Sequence, residues 1–159
     1  MSARSHAPAL ASIVLLAAWL GAAVFVAAVI APAAFAVLPT RALAGAIVGR
    51  ALPVLFTLGV LIGAAVALLN QGIIAPRMVT LGAAMLSVMS ASALMVEIRL
   101  RGVLTAIGTP IDALDPSDPR RAAFGRLHGV SVLLMGVGVV GASLALLVLT
   151  RHLNARSAA

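Results

Sequence analysis

The fold of this chain is decided by residues 127–150, LHGVSVLLMGVGVVGASLALLVLT, which contain no charged side chain. Three further stretches, 7–40, 51–76 and 78–96, are also free of charge. Each stretch matches or exceeds the roughly 20 residues that a helix needs to cross the hydrocarbon core of a bilayer. The apolar runs are continuous and do not alternate with a period of two, which indicates helices and not the strands of a membrane barrel. We therefore predict four transmembrane helices.

The composition of the 159-residue chain agrees with this prediction. Hydrophobic residues make up 63% of the chain and charged residues 9%, whereas a soluble domain carries about a quarter charged residues. The absence of cysteine excludes disulfides, zinc knuckles and thiolate catalysis. The net charge of +7 comes from arginines beside the apolar stretches, so it predicts contact with anionic lipid and not with nucleic acid. We predict a single all-α integral membrane domain over 1–159, a compact bundle surrounded by the lipid bilayer.

Prolines and loop residues indicate where the helices end. We expect the four transmembrane helices at about 9–31, 53–74, 78–99 and 122–150. Pro32 and Pro39 are expected to end the first helix, because proline interrupts the backbone hydrogen bonds. Residues 40–50 have helical apolar spacing between two arginines, which predicts a short interfacial helix between helices 1 and 2. Asp118 is expected to cap a helix whose first residue is Pro119.

The distribution of arginine predicts the orientation in the membrane. One side of the predicted bundle holds seven arginines: Arg41, Arg50, Arg99, Arg101, Arg120, Arg121 and Arg126. The other side holds four: Arg4, Arg77, Arg151 and Arg156. Because the side richer in basic residues faces the cytoplasm, we expect both termini outside, in the cytoplasmic membrane if the protein is bacterial.

Small residues recur at four-residue spacing along the predicted helices. Such pairs let helix backbones approach closely in a bilayer, where apolar burial does not drive association. The pairs are Ala17-xxx-Gly21, Gly59-xxx-Gly63, Gly125-xxx-Gly129, Gly138-xxx-Ala142 and Gly141-xxx-Ala145. They predict a compact bundle and leave open a homo-oligomer or another membrane protein as a partner.

The fourth helix carries the main candidate site residues. His128, Ser131 and Met135 fall on one helical face, and Arg126 points nearly opposite. A histidine at this depth could ligate haem iron or copper, or carry a proton. Alternatively it is an interfacial histidine that contacts a neighbouring helix, with Ser131 bonding to its own helix carbonyls. The Met135 thioether suits Cu(I), although methionine is also a flexible filler of apolar cores.

Two further polar candidates lie on other helices. Glu97 has Arg101 four residues later, a spacing typical of an ion pair that supports a helix. The alternative is a functional carboxylate that reaches Arg126 or Arg120 across the bundle. Trp19 lies near the middle of the first helix, so its indole N–H is expected to bond inside the bundle. We interpret this tryptophan as a packing residue or, alternatively, as the wall of a cofactor site.

Three segments resemble the transmembrane protein 205-like family. They are Trp19-Leu20-Gly21 with Phe25 and Ala31-Pro32-Ala33-Ala34-Phe35, then Ala44-Gly45-Ala46-Ile47-Val48-Gly49-Arg50, and finally Phe124 with Arg126-Leu127-His128-Gly129-Val130-Ser131. The similarity covers about residues 10–150. It implies a four-helix membrane protein, and the eukaryotic members are associated with platinum-drug resistance and vesicle traffic. A lower likeness to copper-resistance and haem-binding four-helix families implies membrane histidines, of which this chain has only His128.

Three functions are compatible with these residues. The first is a non-enzymatic protein that assists transport or efflux of a small solute or metal, with His128, Ser131 and Arg126 at a polar spot. The second is a haem- or copper-binding redox protein that uses His128 with Met135 or a partner-chain ligand. The third is a structural subunit whose small-residue faces bind another membrane protein. No cofactor is predicted for the first, and a catalytic role is the less favoured interpretation.

Overall fold

The computed structural model describes residues 7–71 and 77–157, and this part of the chain is helical with short connections. Its elements are α1 (Ala7–Phe25), a π-helical turn (Val26–Ile30), α2 (Ala31–Val37), α3 (Arg41–Leu69), α4 (Arg77–Ile107), a 3-10 turn (Ile111–Ala113) and α5 (Pro119–Ser157). The segment from α1 through α2 is continuous, so the structure has four helices long and apolar enough to cross a membrane. No strand occurs in the described ranges. The predicted fold class, all-α with four transmembrane helices, is confirmed.

The distribution of side chains is that of a protein surrounded by lipid. Large apolar residues lie on the outside, for example Leu133, which is 67% exposed. Small residues fill the helix contacts, where Ala142 and Ala145 are fully buried. Because lipid tails are as apolar as leucine, a membrane bundle gains from close backbone approach and not from hiding large side chains.

Glycines mark the closest approaches of the helices. A Cβ atom at Gly82 of α4 would lie 2.6 Å from the carbonyl oxygen of Gly141 in α5. A Cβ atom at Gly63 of α3 would lie 2.5 Å from the carbonyl oxygen of Ala83 in α4. These contacts confirm that small residues at the predicted spacing pack the bundle. Gly125 and Gly129, by contrast, are exposed, with no other element within 4 Å of a Cβ at either position.

The first helix does not end at Pro32, and this expectation was wrong. The helix continues through the π-helical turn, in which the N–H of Ala31 donates to the oxygen of Val26. Pro32, which has no N–H to donate, directly follows this turn at the start of α2. The helix ends at Val37, and Leu38 is extended, as the residue before Pro39 prefers to be.

The separate interfacial helix predicted for residues 40–50 is also not observed. These residues are helical from Arg41, but they form the first turns of α3, which runs unbroken through Pro53 to Leu69. Thr40 caps the helix, since its side-chain oxygen accepts the N–H of Leu43. A proline within a helix leaves the carbonyl four residues earlier without its usual N–H donor. In this structure a side chain of α4 donates to that carbonyl instead.

The other helices differ from prediction mainly at their ends. Helix α3 stops at Leu69, before the predicted limit of 74, which lies outside the described residues. Helix α4 extends about two turns past its predicted limit at residue 99, and Gly108 after it adopts a positive φ of 69°. Helix α5 begins at Pro119 as its cap predicted, because Oδ1 of Asp118 accepts the N–H of Arg120 at 2.8 Å. Charges at the membrane boundary therefore do not stop these helices.

Candidate functional site

A cavity of about 850 Å³ opens in one half of the bundle. This half is the arginine-rich end, where α2 connects to α3 and α4 connects to α5. All four membrane helices and the 3-10 turn contribute to the cavity wall. The packing explains its position, because α1 contacts both α3 and α5, whereas α2 packs mainly against α3 alone. The first membrane helix therefore closes the bundle at one end and leaves it open at the other.

Glu97 of α4 is one of two acidic residues that line this cavity, and Asp112 of the 3-10 turn is the other. Glu97 is only 2% exposed. Oε1 of Glu97 accepts a hydrogen bond from Oγ of Ser131 on α5, at 2.8 Å. In the described part of the chain this is the one hydrogen bond of the carboxyl group, and no basic group lies within ion-pair distance of it. Two predicted site residues thus meet across a helix interface.

The expected ion pair between Glu97 and Arg101 is not formed. Nη2 of Arg101 instead donates to the backbone oxygen of Gly49 on α3, at 2.6 Å. That oxygen is free because Pro53, four residues later, has no N–H to donate to it. Glu97 bonds to α5 while Arg101 bonds to α3, so the two side chains serve different interfaces. The alternative pairing with Arg120 is also absent, since Arg120 binds Asp118 at 2.7 Å.

His128 and Met135 of α5 line the same cavity as Glu97. The imidazole is exposed, and its ring stacks nearly parallel to Phe124 with centroids 6.2 Å apart. Met135 is half-buried and packs against both apolar clusters of the bundle core. Among residues 7–71 and 77–157 no three histidine or acidic side chains converge as a set of metal ligands. The cavity wall therefore offers two isolated groups that could ligate a metal, the His128 imidazole, stacked on Phe124, and the Met135 thioether.

Arg126 and Trp19 lie away from the cavity wall. Arg126 is exposed on α5, and it is not brought together with His128 and Ser131. Trp19 is 2% exposed, and its Nε1 donates to the oxygen of Leu55 at 2.9 Å. The expected bond of the indole N–H inside the bundle is confirmed. Of the six polar candidates, the structure brings Glu97, Arg101 and His128 to the cavity wall, with Ser131 held behind Glu97.

Sequence reasoning missed several cavity residues. Arg41 and Arg50 line the cavity from α3, although they were used only to predict a helix and an orientation. Gly49 was missed as well, and the signal for it was present: a proline at position 53 releases the carbonyl of position 49. Such a carbonyl attracts a donor from another helix, and Arg101 is that donor.

Two of the three acidic residues in the loop beside the cavity, Asp115 and Asp118, are held in turn and cap structures. Asp115 accepts the N–H of Ser117, and the Ser117 hydroxyl and N–H lower the pKa of the Asp115 carboxyl. The Arg120 side chain, together with its backbone N–H, lowers the pKa of Asp118 from 3.8 to about 2. Both carboxylates are therefore ionised at neutral pH and anchor the start of α5 at the cavity entrance.

A second polar cluster lies at the opposite end of the bundle. Nδ2 of Asn70 donates to Oγ of Ser12 on α1, at 3.0 Å, and to the oxygen of Val66, at 2.7 Å. Asn70 is buried, and its Oδ1 has no hydrogen-bond partner among residues 7–71 and 77–157. With these two hydrogen bonds the Asn70 amide caps the last turn of α3 and joins this turn to α1.

Helix lengths, lipid-facing surface and the cavity together define a four-helix integral membrane protein with a mainly apolar cavity, lined by a few charged residues, at one end. A family model described as Domain of unknown function (DUF4149) matches residues 14–109. The chain belongs to this family. The matched region contains Trp19, Arg50, Glu97 and Arg101, whereas His128 and Ser131 follow it. No curated protein and no solved structure matches the chain significantly.

Proposed function

We propose that this protein binds a small amphiphilic solute in the cavity and assists its transfer or efflux through the membrane without converting it chemically. The observation that carries the proposal is the cavity itself, with buried Glu97 in its wall. Its volume of about 850 Å³ lies within the range of about 300 to 1,000 Å³ in which proteins hold small ligands. Apolar and charged groups share the wall, which matches a ligand of mixed polarity.

The placement of Glu97 supports a binding role over a purely structural one. An acidic side chain at membrane depth is costly and usually faces a partner or an aqueous pathway. Here the partner is one serine hydroxyl, and the residue lines the cavity. A structural polar contact between α4 and α5 needs only uncharged groups, so a carboxyl group at this position favours a ligand.

Reaction of single cysteines with a water-soluble reagent tests whether water and solute enter the cavity. The chain has no native cysteine, so Val132→Cys and Leu133→Cys each provide a unique thiol. Val132 lines the cavity, whereas its neighbour Leu133 is exposed on the outer, lipid-facing surface. Because only the thiolate reacts and a thiol in lipid stays protonated, we expect Val132→Cys to react about tenfold faster with a charged methanethiosulfonate.

The same experiment in sealed vesicles reports the side from which the cavity opens. An impermeant reagent should reach Val132→Cys only from the face that carries Ser117 in its loop, and Ser117→Cys is the positive control. The predicted orientation places this face in the cytoplasm. Equal and slow labelling of Val132→Cys and Leu133→Cys would contradict an accessible cavity and with it the proposed function.

The transfer step is tested with a fluorescent amphiphile in reconstituted vesicles. A nitrobenzoxadiazole-labelled fatty acid placed in the inner leaflet becomes accessible to external dithionite when it crosses. We expect faster loss of the protected fraction with the protein than with empty vesicles, and a slower rate with Glu97→Leu. Arg126→Ala is the matched control, because Arg126 is exposed and away from the cavity. Equal rates in vesicles with and without the protein would exclude transfer of this class of solute.

Haem or copper binding is the second candidate, supported by the presence of His128 and Met135 in one cavity. An absorption spectrum and metal analysis of the purified protein distinguish it from the first. A Soret band or bound copper that is lost in His128→Ala would support this alternative. A colourless, metal-free protein that still passes the cysteine test would leave solute binding as the function.

The resemblance to the transmembrane protein 205-like family is separate from the DUF4149 match, and it offers further support for the proposed function. It supports a role in efflux or traffic through the association of its eukaryotic members with those processes. A homo-oligomer or membrane-protein partner also stays a prediction. The exposed Gly125 and Gly129 face of α5 is available for such a contact, and recovery of a stoichiometric partner in mild detergent would test it.

A further inference from the structure

Three arginines line the cavity without an acidic partner. Arg41 and Arg50 project from α3 and Arg101 from α4, and all three are exposed. Within the portion of the chain that the structure describes, no carboxylate lies within ion-pair distance of any of them. Arg101 uses Nη2 for the Gly49 oxygen, and its other N–H groups have no partner there. Arginine donors without partners around a cavity are suited to an oxyanion, which can accept two of them at once.

The contact between α3 and α4 joins Arg101 to the residue next to Arg50, and both arginines line the cavity. Arg101 binds the backbone of Gly49, and Gly49 is the residue directly before Arg50. Two guanidinium groups on adjoining helices repel each other, and the repulsion grows as the surroundings become less polar. An anion between them removes that repulsion. Basic pockets between membrane helices are a recurring way to bind anionic lipid head groups.

Below the arginines the wall becomes apolar. Val132 and Met135 of α5, with Leu52 of α3, line this deeper part. Met135 lies seven residues beyond His128, which corresponds to about 10 Å along the helix. The π-helical turn Val26–Ile30 borders the cavity and contains no buried residue, so the apolar part adjoins the lipid. A hydrocarbon chain can therefore enter sideways while its head group stays at the arginine level.

Glu97 restricts what else the ligand can carry. It lies one helical turn, about 6 Å, deeper than Arg101, and one of its oxygens is occupied by Ser131. A second anionic group at this depth would be repelled by an ionised carboxylate. A hydroxyl or amine at the base of the head group would instead find an acceptor.

From these four features, and building on the proposed function, we infer that the cavity binds an amphiphile with one phosphate or carboxylate head group. The oxyanion lies between Arg50 and Arg101, and the hydrocarbon chain lies against Val132 and Met135. Arg41 at the start of α3 attracts the head group to the entrance. The anionic group could come from a lipid or from a free anion, and the experiment below separates these two sources.

Protection of the Val132→Cys thiol from a neutral maleimide measures occupancy directly. The full-length variant is reconstituted in phosphatidylcholine vesicles and labelled with oleate, lysophosphatidic acid, lysophosphatidylcholine or inorganic phosphate present. We expect the two anionic amphiphiles to slow labelling about tenfold, and lysophosphatidylcholine and free phosphate to leave the rate unchanged. Full protection by inorganic phosphate alone would contradict an amphiphilic ligand and would identify a free anion as the ligand.

Arginine variants in the Val132→Cys background test the head-group site. Arg50→Gln and Arg101→Gln should each weaken protection by oleate about tenfold, since each removes one charge-assisted interaction. Arg99→Gln is the matched control, because Arg99 lies two residues from Arg101 but does not line the cavity. Arg50 makes no hydrogen bond within the described residues, so Arg50→Gln keeps the test valid even if Arg101→Gln impairs folding.

The outcomes distinguish this inference from the proposed function. A Val132→Cys thiol that reacts rapidly but is protected by no anionic amphiphile would overturn the inference and leave an accessible cavity in place. Equal protection by lysophosphatidylcholine, or protection that survives in the Arg50→Gln, Arg101→Gln double variant, would also overturn it. A thiol that never reacts removes the proposed function itself.

Discussion

The two ends of this bundle use the same residue types for opposite purposes. At the end of the bundle where α1 begins and α5 ends, glycines such as Gly82 and Gly141 allow backbones to touch, and the core has no space for a methyl group at these positions. At the arginine-rich end, Gly45 and Gly125 have no other element within 4 Å of a Cβ position. The difference shows that a small residue permits close packing only where the neighbouring helix follows the same path.

The path of the first membrane helix accounts for the contrast. Its α1 part buries Leu16 and Trp19 against the other helices, whereas its π-helical turn buries no residue. A π-helical turn adds one residue to the backbone ring, which shifts the faces of the helix that follow it. The side chains of α2 consequently no longer continue the packing face of α1, and only Ala34 is buried there.

Substitution of a glycine at the closed end should have the largest effect. Gly82→Ala places a Cβ 2.6 Å from the Gly141 oxygen, and backbone cannot move aside cheaply, so we expect a loss of about 2 kcal/mol or more in unfolding free energy. Gly125→Ala at the open end should change it by less than about 1 kcal/mol, in the stabilising direction. Unfolding in mixed detergent micelles, followed by circular dichroism, measures both. Equal losses would mean that the two ends are packed alike.

Removal of the serine hydroxyl at the cavity wall should have an intermediate effect. Ser131→Ala leaves the buried Glu97 carboxyl without its hydrogen-bond donor, at an expected cost of about 1.5 kcal/mol. Ser143→Ala on the same helix is the control, because Ser143 is exposed and makes no hydrogen bond in the described structure. If Glu97→Gln restores most of the stability of Ser131→Ala, the cost arises from the carboxyl group; if it does not, the hydroxyl acts by packing.

The energetic coupling between Pro53 and Arg101 should be smaller than the effect of Ser131→Ala, because Arg101 is exposed. In Pro53→Ala the new backbone N–H donates to Gly49, so Arg101 loses its role at that oxygen. We expect Arg101→Gln to cost about 0.5 to 1 kcal/mol in the native background and close to nothing with Pro53→Ala. A double-mutant cycle of unfolding free energies measures this coupling, and additive effects would show that the contact is without energetic consequence.

The smallest effect concerns the cap of α5 and depends on pH. The pKa of Asp118 is about 2 in the folded protein and 3.8 ordinarily, so the carboxylate favours folding above about pH 4. This contribution disappears as the pH falls through 2. Asp118→Ala should therefore lower the unfolding temperature slightly at pH 6 and not at all below pH 2. Asp112→Ala is the control variant, because it removes an exposed carboxyl that makes no hydrogen bond in the described residues.

Much of the fold could be predicted because it depends on local properties. The four apolar stretches predict four helices, since a chain in lipid must satisfy its own backbone hydrogen bonds. The Asp118–Pro119 cap is equally local and was predicted correctly. Helix ends were less predictable: α3 passes through Pro53 and the first helix passes through Pro32. Each depends on a backbone adjustment or a distant donor that sequence spacing does not display.

The candidate site was predictable only as a set of residues and not as an arrangement. Glu97 and Ser131 stood out separately because polar groups at membrane depth are costly, but their contact joins residues 34 positions apart. The i,i+4 spacing suggested Arg101 as the partner of Glu97, and the carbonyl released by Pro53 attracts Arg101 instead. Nothing in the sequence marked Arg41 and Arg50 as cavity residues, because arginines commonly flank the apolar stretches of membrane proteins.

Composition and charge-free length by themselves determined that this chain forms four membrane helices, because hydrogen bonding and transfer to lipid are set residue by residue. The position of the cavity, the contact between Glu97 and Ser131 and the placement of Arg50 and Arg101 in one cavity wall were decided only by the tertiary structure. These features depend on the relative paths of four helices, and those paths follow from close contacts between backbones that lie far apart in the sequence.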